Sequence, residues 1–134
     1  MIRLILGLGN PGKEYEGTRH NTGREAAMYF AKKQGFSEFE FDKKSNSLTS
    51  KHKLLIALPE TFMNKSGSAV GKLIRSKKEL PELIVLHDDL DLPLGRFKIS
   101  YGKNSGGHKG VESIMRALKT KKFVRIRIGI SPKA

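Results

Sequence analysis

The stretch that decides the fold is LIVLHDDLD, residues 83–91. Its first part, from Leu83 to His87, is almost entirely apolar, which is typical of a buried strand. Asp88 and Asp89 follow immediately. Ligands of open α/β sheets bind outside the carboxyl ends of the strands. The stretch therefore predicts a buried strand with a functional edge at its end.

Similar apolar runs alternate along the chain with segments of helical period, a pattern of α/β proteins rather than of bundles or sandwiches. The length of 134 residues fits one domain, and we place it over residues 1–134. The predicted strands cover residues 2–6, 54–58, 83–87, 96–101 and 124–130. Helices are expected after Thr22, after Ser66 and over 111–118. The Lys/Ser/Asn-rich segment 42–53 is expected to form a mobile hairpin or an edge.

Helix ends give a further prediction. Thr22 with Glu25 three residues later has the spacing of a capping box, and Gly35 is the type of residue that ends a helix. The sequence therefore predicts that the first helix begins at Thr22 and stops near Gly35.

The composition restricts the classes of function. Lys and Arg number 26 against 13 Asp and Glu, a formal charge of +13 that favours polyanions such as nucleic acid or anionic lipid. The alternative is that the basic surface only aids solubility. Cysteine is absent, which excludes disulfides, cysteine-ligated zinc and cysteine nucleophiles. No apolar run is long enough to cross a membrane or to form a signal peptide, and we expect a cytoplasmic protein without membrane contact.

A glycine-rich segment, GLGNPG at residues 7–12, follows the first predicted strand. It matches the G-x-G-x-x-G spacing of dinucleotide-binding loops, but the expected helix at the last glycine and an acidic residue about 20 positions on are missing. The alternative is a tight turn that requires glycine, which leaves Asn10 unexplained.

Acid–base chemistry is predicted from His20 together with a carboxylate from the acidic segment of residues 87–91. A carboxylate at a strand end can accept an imidazole N–H, fix the tautomer and leave the other ring nitrogen free to take a proton. Alternatively, His20 is a structural loop histidine, or His87 and the neighbouring aspartates hold Mg²⁺. Asn64 can bind a peptide group, whereas Phe62 and Met63 could equally belong to the core. Without cysteine or a G-x-S-x-G motif, water is the expected nucleophile.

Six motifs occur in order across the chain, and together they are distinctive. They are residues 7–12 with Tyr15, residues 18–23, residues 61–67, residues 87–95, residues 106–110 and residues 125–130. In this order they resemble the bacterial-type peptidyl-tRNA hydrolase family. The resemblance implies a twisted mixed sheet flanked by helices and cleavage of the ester that joins peptide to tRNA. It also implies peptidyl-tRNA as the partner, no metal and no cofactor, and we expect a monomer.

The resemblance also assigns roles by position. His20 matches the catalytic histidine and Asp88 the aspartate that orients it. The substrate-binding positions are Asn10, Tyr15, Met63, Asn64, His108 and Lys109. The positions that grip the tRNA 5′ phosphate are Lys98 and Arg127, which agrees with the charge of the chain.

Two departures from the family pattern stand out. Lys109 occupies a position where relatives usually have asparagine, and a lysine there could contact a phosphate instead. Relatives also continue beyond residue 134 into a lid region, so we expect either a compact active form or weaker substrate binding. The rival interpretation is a non-catalytic RNA-binding protein on the same scaffold.

Overall fold

Seven strands form one mixed sheet in the computed structural model, which describes residues 2–132. In chain order they are β1 (Leu4–Gly7), β2 (Glu40–Asp42), β3 (Ser47–Lys51), β4 (Leu55–Pro59), β5 (Leu83–Pro93), β6 (Phe97–Tyr101) and β7 (Val124–Ser131). Their spatial order is β2-β3-β4-β1-β5-β7-β6. Strands β4, β1, β5 and β7 run parallel, and the other pairs are antiparallel. The predicted α/β class with a mixed sheet is confirmed.

Within residues 2–132, three α-helices cover the two faces of the sheet. They are α1 (Thr22–Lys33), α2 (Ser66–Leu73) and α3 (Lys109–Leu118). Along β1 the side chains alternate: Leu4 and Leu6 pack with residues of α2 and α3, whereas Ile5 packs with residues of α1. This alternation places one apolar cluster on each face. The predicted domain bounds include Met1, Lys133 and Ala134, which lie outside the described residues.

The start of α1 differs from the predicted capping box. A 3-10 turn, Arg19–Asn21, leads directly into the helix, and the Thr22 hydroxyl donates to the Arg19 carbonyl. The Glu25 carboxylate accepts the N–H of Gly17 instead of a helix-start amide, at 2.6 Å. The capping box is therefore wrong because the preceding turn already satisfies this helix start. The expected stop is confirmed, since α1 ends at Lys33 shortly before Gly35, whose φ is +74°.

The segment expected to be a hairpin or an edge contains the last residue of β2, the turn that follows it and all of β3. Strands β2 and β3 pair antiparallel, and β2 is an edge strand of the sheet. Strand β5 is longer than predicted. Asp88 and Asp89 still pair with Ile128 and Gly129 of β7, and a register shift follows before Pro93. The two acidic residues thus lie inside the strand rather than after it. Among residues 2–132, no helix combines the length and apolarity that crossing a bilayer requires.

Candidate active site

Close packing of α1 against the sheet sets the position of the turn that carries His20. A Cβ at Gly23 would lie 2.2 Å from the Leu86 carbonyl oxygen of β5, and one at Gly7 would lie 2.7 Å from the Ala27 Cβ. Only glycine permits these approaches. The beginning of α1 therefore lies directly against β5, beside Asp88.

The glycine-rich segment does not form a dinucleotide-binding loop. A short 3-10 turn, Lys13–Tyr15, follows Gly12, and no α-helix begins there among the described residues. A phosphate site of that class needs the N-terminus of a helix. Gly7 and Gly9 instead leave room for α1 and for the Asn21 side chain. The nucleotide-cofactor interpretation is therefore not supported.

His20 and Asp88 meet as the sequence predicts. The Nδ1 atom of His20 lies 2.7 Å from Oδ2 of Asp88. The His20 side chain is 45% exposed, whereas that of Asp88 is 5% exposed. The Nε2 atom of His20 has no hydrogen bond to any of residues 2–132. A buried carboxylate thus fixes an exposed imidazole with one nitrogen left for a ligand or water.

His108 bonds the same carboxylate from another element. Its Nδ1 atom accepts the N–H groups of Gly110 and Val111 at the start of α3, at 3.1 and 3.2 Å. Nδ1 therefore carries no proton, and Nε2–H donates to Oδ1 of Asp88 at 2.8 Å. The family resemblance assigns His108 only to substrate binding. The structure assigns it two further contacts, with the helix start and with Asp88.

These contacts shift the pKa values of Asp88 and His20. Burial on its own would raise the pKa of Asp88, but the hydrogen bonds from His108 and His20 outweigh it and hold that pKa well below its ordinary range. The hydrogen bond to Asp88 raises the pKa of His20 above its ordinary value, partial burial opposes the rise, and the negative charge of Asp88 adds to it. Asp88 is thus ionised at neutral pH, and His20 is a stronger base than a free imidazole.

Asn10 links the His20 turn to the chain after β4. Its backbone N–H donates to Oδ1 of Asn21 at 2.7 Å, and Nδ2 of Asn21 donates to the Asn10 carbonyl at 2.9 Å. Its own Oδ1 accepts the N–H of Met63 at 2.7 Å. Because Oδ1 is used in this way, Nδ2 of Asn10 is left to donate, and it has no hydrogen bond within residues 2–132.

The segment after β4 separates the roles of its neighbouring residues. The Met63 side chain lies in the core at 4% exposure, so only its backbone reaches Asn10. Core packing, one of the two alternatives for Met63, is therefore correct for its side chain. Phe62 is exposed instead and forms an edge-to-face ring contact with Tyr15, with centroids 6.2 Å apart. Asn64 is exposed in the same turn.

A single group of described residues could hold a metal ion, namely His20, Asp88 and His108, whose ligand atoms lie within 4.8 Å of one another. Hydrogen bonds already join Nδ1 of His20 and Nε2 of His108 to the two carboxylate oxygens of Asp88. The expected alternative, His87 with the aspartates, does not form a site: His87 bonds Arg125, and Asp89 bonds Arg127. The magnesium alternative is therefore wrong.

A cavity of about 530 Å³ opens beside His20 and Asp88. Its basic lining residues outnumber its acidic ones, and they are Arg19, Lys103, Lys109, Arg125 and Arg127. Lys109 is exposed and lies 3.8 Å from Glu112. Arg127 donates through Nε to Asp89 at 2.6 Å and through a terminal nitrogen to Ser100 at 3.1 Å. Lys98 is exposed on β6, in register with Arg127. The cavity suits an anionic ligand.

Sequence reasoning missed the hydrogen-bonding role of three polar residues around the site. Asn21, His87 and Arg125 are almost completely buried and make side-chain hydrogen bonds. Arg125 lies on the face of β7 opposite Ile126 and Ile128, and the sequence pattern predicted no partner for it. An arginine on the inner face of a predicted strand is the signal that could have indicated a buried network.

The fold and the site together define an α/β protein with a carboxylate-oriented histidine beside a basic cavity. Comparison with known proteins identifies the family. A family model described as peptidyl-tRNA hydrolase matches residues 4–134. The chain is 43% identical over 136 residues to the peptidyl-tRNA hydrolase of Dehalococcoides mccartyi, covering 96% of this chain and 70% of that one. It is 47% identical over 138 residues to that of Thermodesulfovibrio yellowstonii, covering 95% and 71%. The chain belongs to the peptidyl-tRNA hydrolase family.

A solved structure supports the same assignment. The crystal structure of peptidyl-tRNA hydrolase from Acinetobacter baumannii superposes with a TM-score of 0.90 at 34% identity, covering 99% of this chain and 70% of that chain. The chain spans about 70% of the length of the relatives it matches.

Proposed function

We propose that this protein hydrolyses the ester bond between the peptide and the terminal ribose of peptidyl-tRNA, releasing peptide and free tRNA. The observation that carries the proposal is the 2.7 Å contact between His20 Nδ1 and Asp88 Oδ2, with His20 lining a basic cavity and its Nε2 free of hydrogen bonds within residues 2–132. Family membership supplies the substrate class, since the matched relatives are named peptidyl-tRNA hydrolases.

In the proposed reaction, His20 Nε2 removes a proton from water as that water attacks the ester carbonyl carbon. The imidazolium that forms is stabilised by ionised Asp88. The C–O bond to the ribose then breaks, and His20 returns its proton to the departing ribose oxygen. General-base help of this kind contributes about 10²–10⁴-fold.

Asparagine side chains supply the remaining polar groups. Asn10 Nδ2 is free to donate because Oδ1 is occupied by the Met63 N–H, and Asn64 presents an exposed amide in the adjoining turn. Either donor could stabilise the developing oxyanion, an effect of about 2.7–4 kcal/mol per donor. The Tyr15 and Phe62 rings offer apolar surface for the peptide. Lys98, Arg127 and Lys109 are proposed to contact tRNA phosphates.

The test is direct. The purified chain is incubated with tRNA carrying a labelled, N-blocked aminoacyl group, and the label released into the acid-soluble fraction is counted. We expect release that scales with enzyme concentration and is much slower from the same tRNA with a free amino group. Binding of the tRNA without cleavage at any enzyme concentration would contradict the proposal and support the RNA-binding alternative.

A further inference from the structure

We infer that His87 and Arg125 are positioning residues that tether the loop of residues 102–108 to the central strand. This loop forms one wall of the cavity and ends at His108, which bonds Asp88. The inference rests on the proposed function only for its kinetic readout. It concerns a buried polar pair that the reaction as described above does not use.

His87 has a single tautomer that fits its contacts. Its Nε2 atom lies 3.1 Å from a terminal nitrogen of Arg125, which can only donate, so Nε2 accepts. Its Nδ1–H therefore donates to the Asp88 backbone carbonyl at 2.8 Å. Burial lowers the pKa of His87 to about 4, which agrees with a neutral ring. The ring is thus a fixed bridge between β5 and Arg125.

Arg125 connects His87 to the loop through hydrogen bonds. Its second terminal nitrogen donates to the carbonyls of Lys103 and Asn104, at 3.3 and 2.7 Å. Arg125 is 3% exposed, and its guanidinium makes no hydrogen bond to a carboxylate within residues 2–132. A buried charge is costly unless its donors are used. The donors of Arg125 are used here by the neutral imidazole of His87 and by the loop carbonyls. The pair therefore fixes the position of the loop, which an apolar pair of equal volume would not do.

The loop needs such a tether because it has little structure of its own. Gly102, Gly106 and Gly107 all have positive φ values, and the loop contains no helix or strand pairing before α3. Glycine-rich backbone loses much entropy when it is ordered. Lys121 bonds the exposed Asn104 side chain, and Glu112 of α3 bonds the Ser105 hydroxyl. The buried contacts that hold the loop backbone to the sheet are those of Arg125 near its start and of His108 at its end.

The contacts close into a ring that begins and ends at Asp88. The Asp88 carbonyl accepts from His87, His87 accepts from Arg125, Arg125 holds the loop, and His108 at the loop end donates to the Asp88 carboxylate. The His87 and His108 rings also touch edge to face, 4.7 Å between centroids. Breaking the His87–Arg125 bond should therefore loosen the cavity wall while leaving the His20–Asp88 contact in place.

The experiment compares His87→Leu, which removes the acceptor, with His87→Gln, whose side-chain oxygen can replace Nε2 as acceptor. Ile56→Val, a mild change to a fully buried residue of β4, is the control for lost stability. Amide hydrogen exchange of residues 103–107 is followed by NMR, together with KM and kcat for the labelled substrate.

For His87→Leu we expect exchange of the loop amides faster by about tenfold or more and KM raised by about tenfold, with a smaller change in kcat. His87→Gln should recover most of the protection, and Ile56→Val should alter neither quantity beyond its general destabilisation.

Unchanged loop exchange in His87→Leu, or the same change in Ile56→Val, would overturn the inference. If His87→Leu does not fold, Arg125→Lys takes its place, because lysine keeps the charge but cannot bridge the imidazole and both carbonyls in the same geometry. Absence of hydrolysis by the unaltered protein would refute the proposed function, whereas loop exchange would still test the tether.

Discussion

Two regions of the molecule, the turn of residues 19–21 and the loop of residues 102–108, each bring a histidine to the same carboxylate. The distances to Asp88 are nearly equal, 2.7 Å from His20 and 2.8 Å from His108. The exposures differ: the His20 side chain is 45% exposed and that of His108 is 9% exposed.

The difference lies in the second ring nitrogen. In His108 it accepts two backbone N–H groups of α3, whereas in His20 it is open to the cavity. A general base needs a free nitrogen within reach of its proton. In the proposed reaction His20 therefore exchanges protons with a substrate or water, whereas His108 holds Asp88 and the start of α3 in place. Identical residue types at one carboxylate thus have different roles because of what surrounds them.

The substitution with the largest expected effect is His20→Ala, which removes the exposed histidine of the two. We expect turnover to fall by at least about 10²-fold, because the proposed base is lost, while the fold is retained since the side chain is half-exposed and outside the core. The measurement is single-turnover release of label from N-blocked aminoacyl-tRNA. His52→Ala, a change to an exposed histidine before β4, is the control and should hydrolyse normally. Near-normal hydrolysis by His20→Ala would refute the assigned mechanism.

A smaller but more informative effect is expected from Asp88→Asn. The amide can accept from one imidazole through Oδ1, but it presents an N–H₂ group to the other, so one of the two regions loses its bond. We expect turnover to fall by about 10- to 100-fold, less than for loss of His20 itself. The pKa of His20 should also drop, because Asp88 is what raises it. An acid limb of the pH–rate profile that stays at the same pH would contradict this account.

Much of this arrangement follows from the sequence, and the reasons differ between the two regions. His20 was predicted to pair with a carboxylate of residues 87–91 because a carboxylate at a strand end can orient an imidazole. The family resemblance implied that this carboxylate is Asp88. The contact between His108 and Asp88 was not predicted. His108 is separated from Asp88 by 20 residues, and its contact depends on how the glycine-rich loop folds back.

The fold shows the same division. Strands and helices with clear apolar periodicity were placed within a few residues. The Thr22–Glu25 capping box was wrong because the chain just before the helix takes both side chains: Thr22 bonds the Arg19 carbonyl, and Glu25 bonds the Gly17 N–H. Strand β5 extends past its apolar run because β7 continues to pair with Asp88 and Asp89. Buried polar groups such as Arg125 form hydrogen bonds with residues on other elements, and the sequence around them does not indicate which residues these are.

The pH dependence of the unaltered protein sharpens the distinction further. Because the pKa of His20 is raised above about 6.5, hydrolysis should decline as pH falls through that raised value, by about tenfold per pH unit below it. The contribution of His20 to the free energy of unfolding changes with pH in the opposite direction. A raised folded-state pKa stabilises the fold fully below the unfolded value near 6.5, and this contribution is lost as pH rises through the folded value.

Rates and denaturant unfolding measured across the same pH series check both signs. His20→Ala should abolish the part of the stability profile that belongs to this group. A rate that increases as the solution becomes more acidic would show that His20 does not act as the base.

The smallest expected effect concerns the two cations assigned to tRNA phosphates. Lys98 and Arg127 face each other across β6 and β7, but only Lys98 is exposed. Arg127 donates to Asp89 and Ser100, so its charge is partly compensated before any phosphate arrives. Lys98→Ala should reduce the slope of log affinity against log salt by about 0.7–0.9, the value for one phosphate contact. Arg127→Ala should reduce it by less.

The measurement is tRNA binding by the two variants across a salt series, with Lys53→Ala as the control. Lys53 is an exposed lysine just before β4. It lies at the amino ends of the parallel strands, whereas Asp88 lies toward the carboxyl end of β5, so its loss should leave the slope nearly unchanged. A small peptide ester without RNA should be hydrolysed equally well by all three variants, since none of these lysines or Arg127 contacts His20. If Arg127→Ala lowers the slope as much as Lys98→Ala, Asp89 releases the guanidinium when tRNA binds. If neither changes it, the phosphate-binding face lies elsewhere, and the exposed Lys119, Lys121 and Lys122 near the end of α3 become the next residues to neutralise.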